Sequence, residues 1–246
     1  MIFTKWRDIV KEKIVRGYEW TEKLIAQYRS LAVMAVYAVF YLIAFYYLEQ
    51  RTVAVHEINF KIDAHIPFCE VFIVPYLLWF GYVAITVVFL CIKDKEESDR
   101  LVAFLIAGMT IFIVISAVFP NGHNLRPTTF PRENIFIDLI RHLYATDTPT
   151  NILPSIHVYN SIGIHLAVSH NEQLKKNKTI QLISFILMTS IILATMFIKQ
   201  HSVFDVSTAL VLAYVMYRIV YRHNWSKSSL VSRIKARKHF LPDNQL

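Results

Sequence analysis

The chain has 246 residues, 55% of them apolar, with only five glycines, a net charge of +8 and a mean hydropathy of +0.40. Long uncharged runs leave too little polar surface to coat a soluble fold, and two cysteines exclude a disulfide framework. The basic excess would suit nucleic acid, but it sits in blocks between apolar runs, which excludes that partner in favour of a membrane.

Residues 1–30 carry Lys5, Arg7, Lys11, Lys13, Arg16, Lys23 and Arg29. Phe3, Trp6, Val10, Ile14, Tyr18, Ile25 and Tyr28 recur between the charges at close to helical spacing. The segment is too charged for a secretory signal and has no small-residue cleavage site. It is expected to be an amphipathic interfacial helix on the inner leaflet, basic face toward anionic head groups, with partner binding as the rival reading.

Five apolar runs follow, at residues 31–48, 71–92, 101–119, 179–198 and 202–217. A run of roughly 18 apolar residues is long enough to cross a bilayer core as a helix. A sixth crossing is expected at 152–168, although two histidines, an asparagine and serines interrupt it. Such groups should face the bundle interior or a wet cavity. Cys69 and Cys91 lie near opposite ends of one predicted helix, on the order of 30 Å apart, beyond disulfide reach.

The connections differ in charge. Residues 49–70 contain His56, Glu57, Asp63 and His65, all metal-ligand types, but in no recognisable ligand spacing, so a solvated loop is expected. The longest connection, 120–153, should hold a short interfacial helix, because Ile135, Phe136, Leu139, Ile140 and Leu143 form a helical stripe. Residues 223–246 read as a basic tail. Twenty of the 26 Lys and Arg residues fall on the side of the two termini. The positive-inside rule therefore puts both termini in the cytoplasm, and an even number of crossings follows. The expected fold is an all-α polytopic membrane protein. Its interfacial helix spans residues 1–30, its six-helix catalytic domain 31–222 and its tail 223–246.

Three segments then fall at the outer face. In Lys199–Asp205, His201 and Asp205 are i and i+4 and share a helix face. The carboxylate can fix the ring tautomer and raise the basicity of the far nitrogen. That makes a nucleophile or base, where the plainer alternative is a pair that merely stabilises the bundle. In Leu153–His157, Pro154 suits a first helical turn, and Ser155 can present its hydroxyl to an anion at the positive helix end. His157 can supply the proton that a departing alkoxide needs. Arg126 and Pro127 belong to the third segment. His165, two turns below His157, reads as a hydrogen-bonding residue inside the bundle.

Together these segments resemble the phosphatidic acid phosphatase type 2 / haloperoxidase superfamily. Its three motifs are a basic stretch ending in Arg-Pro, a Pro-Ser-Gly-His segment, and a segment ending in His-x-x-x-Asp. Arg126-Pro127, Pro154-Ser155-Ile156-His157 and His201 to Asp205 match them in order, over roughly residues 120–210. The family's first-motif lysine falls on Phe119, its second-motif glycine on Ile156 and its third-motif arginine on Thr195. Lys199, Arg132 or Arg141 could substitute for the missing cations. Similar losses occur in the sphingomyelin and inositol-phosphorylceramide synthase branch, to which Asp63–Phe68 is also similar.

The resemblance implies a membrane lipid phosphatase with its site on the extracytoplasmic side. A lipid phosphate, of the phosphatidic acid or undecaprenyl diphosphate type, would enter from the outer leaflet. Arg126, Ser155 and Lys199 would bind its phosphate and His201 would attack to form a phosphohistidine. Asp205 would steady the imidazolium and His157 would protonate the leaving group, with no metal and no cofactor. A lipid phosphotransferase, or a non-catalytic transporter using the same histidines, are the alternatives.

Overall fold

The computed structural model describes residues 2–222, with side chains at Ile25 and from Tyr28 onward. The expected tail at 223–246 and the expected apolar face from Phe3 to Tyr18 lie outside the described side chains. The backbone makes one helix, α1 (Ile2–Glu49), of the expected interfacial segment and the first apolar run, with no break near residue 30. It is followed by α2 (Ile73–Lys93), α3 (Lys95–Val118), α4 (Ile135–Thr146), α5 (Ile156–His170), α6 (Lys178–Phe197) and α7 (Val203–Tyr217). The only strands among the described residues are β1 (His56–Glu57) and β2 (Asn121–Gly122), paired in parallel with His56 opposite Asn121. The described residues are all-α apart from this clip, which ties the loop after α1 to the loop after α3.

Among the described residues, five helices are long and apolar enough to cross a membrane: Tyr28–Glu49, Glu70–Lys93, Lys95–Val118, Lys178–Phe197 and Val203–Arg222. Only 11–44% of their most apolar stretches is buried in the protein, so most of that surface faces outward. Water would oppose such a surface and lipid would not. This is the make-up of a multi-pass membrane protein.

α5 is the exception in length. Its 15 residues rise about 22 Å, short of a bilayer core of about 30 Å. It packs against α2, α3, α6 and α7, so protein rather than lipid surrounds it. Its first turn meets the start of α2 and the α6–α7 turn, where the His157 ring lies against Tyr76, Trp79 and His201. Its last turn meets the far end of α7, with His170 against Tyr217 and Tyr221. There Asn171, just past α5, donates to Asp94, the cap of α3, at 2.8 Å. α5 thus runs between the two ends of the bundle.

Close approach of α3 and α5 depends on two glycines. The rings of Phe104 and Tyr159 stack at 4.4 Å, and the Tyr159 hydroxyl donates to the Phe104 carbonyl at 2.8 Å. A Cβ at Gly108 would lie 2.0 Å from the Tyr159 ring, and one at Gly163 would lie 2.7 Å from the Phe104 ring. His165, one turn above the end of α5, bonds Ser184 of α6 at 3.0 Å, in the bundle-interior role expected of it.

Because the stack and the hydrogen bond pin Tyr159, Gly108→Ala must push the two helices apart. A loss of about 1–3 kcal/mol is expected, read as a lower melting temperature in detergent. An unchanged melting temperature would mean that α3 and α5 do not approach this closely.

Candidate active site

The turn between α6 and α7 builds the site. Gln200 N donates to the Thr195 carbonyl at 2.9 Å and Lys199 N to Met196 at 3.1 Å. These are the two bonds of a Schellman ending, with Lys199 in the left-handed position that glycine normally takes. Its φ of 54° costs a residue with a Cβ about 1–2 kcal/mol. Two buried bonds offset that cost: Lys199 Nζ donates to the carbonyls of Asp63 at 2.8 Å and Ile66 at 2.6 Å.

The chain reverses at once into α7. Ser202 caps it, donating through its backbone N–H and its hydroxyl to Asp205, both at 2.9 Å. His201 Nδ1 adds a third bond to Asp205, at 3.2 Å. A carboxylate can only accept, so Nδ1 carries the proton, and in the neutral ring Nε2 is the nitrogen with the lone pair. Asp205 is fully buried and His201 nearly so.

Asp63 supports the same turn from the loop after α1. Its Oδ1 accepts from Val203 N at 2.8 Å and its Oδ2 from Phe60 N at 2.7 Å, and its side chain is 1% exposed. The expectation of a solvated loop therefore fails at Asp63, while His56 and His65 are exposed. Its four candidate ligands do not converge. His56 stacks on Phe119 at 4.6 Å, and among the described residues no group of three His, Cys, Asp or Glu could hold a metal.

His157 faces His201 with ring centroids 5.7 Å apart, wedged between Tyr76 at 4.6 Å and Trp79 at 4.4 Å. Its Nδ1 is buried without a hydrogen-bond partner. Such an atom costs about 1–3 kcal/mol, which a ligand or water would recover. Between the histidines lies a cavity of about 30 Å³, lined also by Phe45, Phe112, Asp147, Thr148, Asn151 and Gln200. In this state it has room for about one water, and a phosphoryl group needs it wider.

The other candidates stand at different distances from this cavity. Ser155 is the N-cap of α5, its Oγ accepting from Val158 N at 3.4 Å. Arg126 lies behind the wall. Its guanidinium covers the Tyr144 ring at 4.4 Å and donates to the Asp147 carbonyl at 2.7 Å and to the Gln200 amide oxygen. Lys199 is held in the loop after α1, as described. Arg132 pairs with Glu70, and Arg141 with Glu133 and Asp138. The two positions at which the resemblance would place cations do not supply them either: Phe119 stacks on His56, and the Thr195 hydroxyl bonds the Ile192 carbonyl. So His157, His201 and Asp205 come together, Arg126 stands one side chain back, and Lys199 points elsewhere.

Five further residues shape the site, and sequence reasoning passed over them. Glu49 accepts from Thr148 N at 3.1 Å and Asn151 Nδ2 at 2.7 Å, fixing the segment ahead of α5. Asn121 does the same from the other side, accepting from Ile152 N at 2.9 Å and Leu153 N at 3.0 Å. Gln200 links Arg126 to the Asp147 carboxylate, which its Nε2 reaches at 3.2 Å. Burial pushes the Asp147 carboxyl up to about 6, against the opposing charge of Arg126. His123 is held low by burial; Leu125 N donates to its Nδ1, so its Nε2–H donates to the Gln200 carbonyl at 2.9 Å.

Comparison with protein-family models, curated proteins and solved structures finds no match to this chain.

Asp63→Ala should loosen the start of α7, since it strips two backbone N–H groups of their acceptor. Each buried donor left bare costs about 1–3 kcal/mol. Thermal unfolding in detergent should show a clear drop, against no more than about 0.5 kcal/mol for Ala at exposed Lys61. Equal behaviour of the two variants would show that the cap contributes nothing.

Proposed function

We propose that this protein is a metal-independent membrane lipid phosphatase that works through a phosphohistidine at the outer face of the membrane. The observation that carries the reading is the oriented pair. His201 is tethered through Nδ1 to a buried carboxylate, and its free Nε2 lies on the ring that faces His157 across a shared cavity. A buried Asp–His pair beside a second histidine with an unsatisfied nitrogen is the arrangement needed to attack one side of a phosphoryl group and protonate the other.

In the first step the Nε2 lone pair of His201 forms a bond to phosphorus. The bond from phosphorus to the lipid oxygen breaks, and the departing oxygen takes its electron pair and a proton from His157. Asp205 stabilises the imidazolium left on His201. Water then attacks phosphorus, His157 takes its proton, and the N–P electron pair returns to His201. Arg126 contributes long-range positive charge, and its unpartnered Nε can turn to a phosphoryl oxygen as the cavity widens.

A lipid phosphotransferase, with an alcohol in place of water, is the second reading. It is favoured by the scarcity of cations: among the described residues no Arg or Lys lines the cavity, and the Nη atoms of Arg126, which reach its lining residues Asp147 and Gln200, are already bonded. A phosphodiester with a single negative charge needs less neutralisation than a monoester dianion. The three catalytic side chains weigh against a transporter.

The proposed topology has six crossings, α5 being the fourth, with both termini cytoplasmic and the candidate site outside. Its support is the division of basic residues together with the course of α5 between the two bundle ends. A cysteine at exposed Thr129 should react with an impermeant reagent in intact cells. Labelling there only after permeabilisation would move the site to the cytoplasm.

The roles are tested with purified protein and a panel of lipid phosphates, with and without alcohols, in excess chelator. His201→Ala should lose turnover of every substrate. His157→Ala should lose alkyl lipid phosphates but keep more activity on an aryl phosphate, whose leaving group needs no proton. Vanadate should inhibit, as a mimic of the five-coordinate transition state. Loss of activity in chelator that zinc restores, or equal residual rates for the two variants on both substrates, would contradict the mechanism.

A further inference from the structure

The mechanism above leaves one titratable group of the cavity without a role, the carboxyl of Asp147. It follows α4 directly and lines the same cavity as His157 and His201. Arg126 bonds its backbone carbonyl, while its carboxylate receives the Gln200 amide at 3.2 Å. The hydrogen bond on the carboxylate thus comes from a neutral group.

The groups facing it offset each other. Arg126 and His201 favour its ionised form and Glu49 opposes it. Tyr41 of α1 and Tyr76 of α2 also sense its charge. Burial is the largest influence and holds the carboxyl near 6. A phosphoryl group entering this cavity brings further negative charge, and like charges resist joint ionisation. A carboxyl that keeps its proton gains an O–H donor, which a carboxylate lacks. The same device, a carboxylic acid kept neutral to donate a hydrogen bond, is known in enzyme oxyanion sites.

We propose that Asp147 binds the phosphoryl group of the substrate as a neutral carboxylic acid, donating its O–H to a phosphoryl oxygen, so that binding is coupled to uptake of one proton. This rests on the phosphoryl-transfer reading and adds to it a ligand that stands in for absent cations. Phe119 and Thr195 cannot donate charge, and Lys199 is committed to the loop after α1. A protonated Asp147 supplies a hydrogen bond and removes a repulsion in the same step.

The test measures ligand binding to the full-length protein in detergent between about pH 6 and 8, where linkage predicts up to tenfold loss of affinity per pH unit for one coupled proton. Sulfate is the first probe, because it is a tetrahedral dianion that does not titrate in this range. Phosphatidic acid is the second and separates a free anion from a lipid head group. Because neighbouring groups can add proton linkage of their own, the quantity read is the difference between wild type and Asp147→Asn. Asn keeps an acceptor for Gln200 and an N–H donor for the ligand, but cannot titrate.

The Asn variant should bind within about threefold of wild type at the acid end, with a pH slope shallower by one proton. Asp147→Leu, which lacks the donor, should bind at least tenfold more weakly at that end. If only phosphatidic acid binds, the same differences are expected on it. A slope unchanged in Asp147→Asn overturns the proposal. So does a loss of turnover above a hundredfold in that variant with a phosphoenzyme accumulating, since Asp147 would then be a base. Failure of wild type to bind either probe at any pH brings down the phosphoryl-transfer reading itself.

Discussion

The reversal from α6 into α7 is the constraint on which the rest of the site depends. The five residues 198–202 must end one helix, pass through a left-handed residue and deliver a histidine just ahead of the Ser202 cap of the next. Backbone groups at two helix ends would be left bare in an apolar bundle, where each unsatisfied group is expensive. The fold answers with side chains: Ser202 and Asp205 cap α7 from within, and Asp63 caps it from the loop after α1. The ammonium of Lys199 then fastens that loop to the turn. Asp205 can orient His201 because its own position is set by the cap.

Much of the surrounding polar structure serves to bring a second segment up to this turn. The residues ahead of α5 have no regular structure, yet their backbone is held on both sides, by Asn121 and by Glu49. That clamp sets where α5 begins and so where His157 stands. The short β1–β2 pair belongs to the same arrangement, since it places Asn121 beside the loop that carries Asp63. Below this level the bundle is conventional, with apolar faces outward and the α3–α5 contact permitted by Gly108 and Gly163. The polar end and the apolar body make different demands, and the shortness of α5 is where they meet. Its cavity-side portion is given up to the extended approach that frames the cavity.

The membrane helices were legible because a bilayer imposes length and uniform polarity on a local stretch of chain, and the apolar runs match α1, α2, α3, α6 and α7 to within two residues of the helix ends they overhang. The i, i+4 pair of His201 and Asp205 was equally legible, being local geometry. Three kinds of feature were not. The continuity of α1 through residue 30 depends on the absence of a break, which amphipathic spacing alone does not report. The burial of Asp63 depends on a partner 140 residues away, and an acidic residue in a polar loop carries no mark of that. Lys199 and Arg126 were assigned to phosphate by what the family resemblance implies. Yet Lys199 was needed by the turn it sits in, and Arg126 by Tyr144, Asp147 and Gln200. Asp147 lies in the 120–153 connection and Gln200 in the Lys199–Asp205 segment, but only their meeting in space gives them a part.

The central claim is that the Asp205-oriented nitrogen of His201 becomes covalently bonded to phosphorus. Its most direct test is to quench the purified protein during turnover of a lipid phosphate labelled in the phosphoryl group, and to map the label. The account predicts a label stable in base and labile in acid, carried by the peptide containing His201 and absent from His201→Ala. Turnover that proceeds in chelator with no labelled protein at any quench time, or a label on another residue, would contradict it.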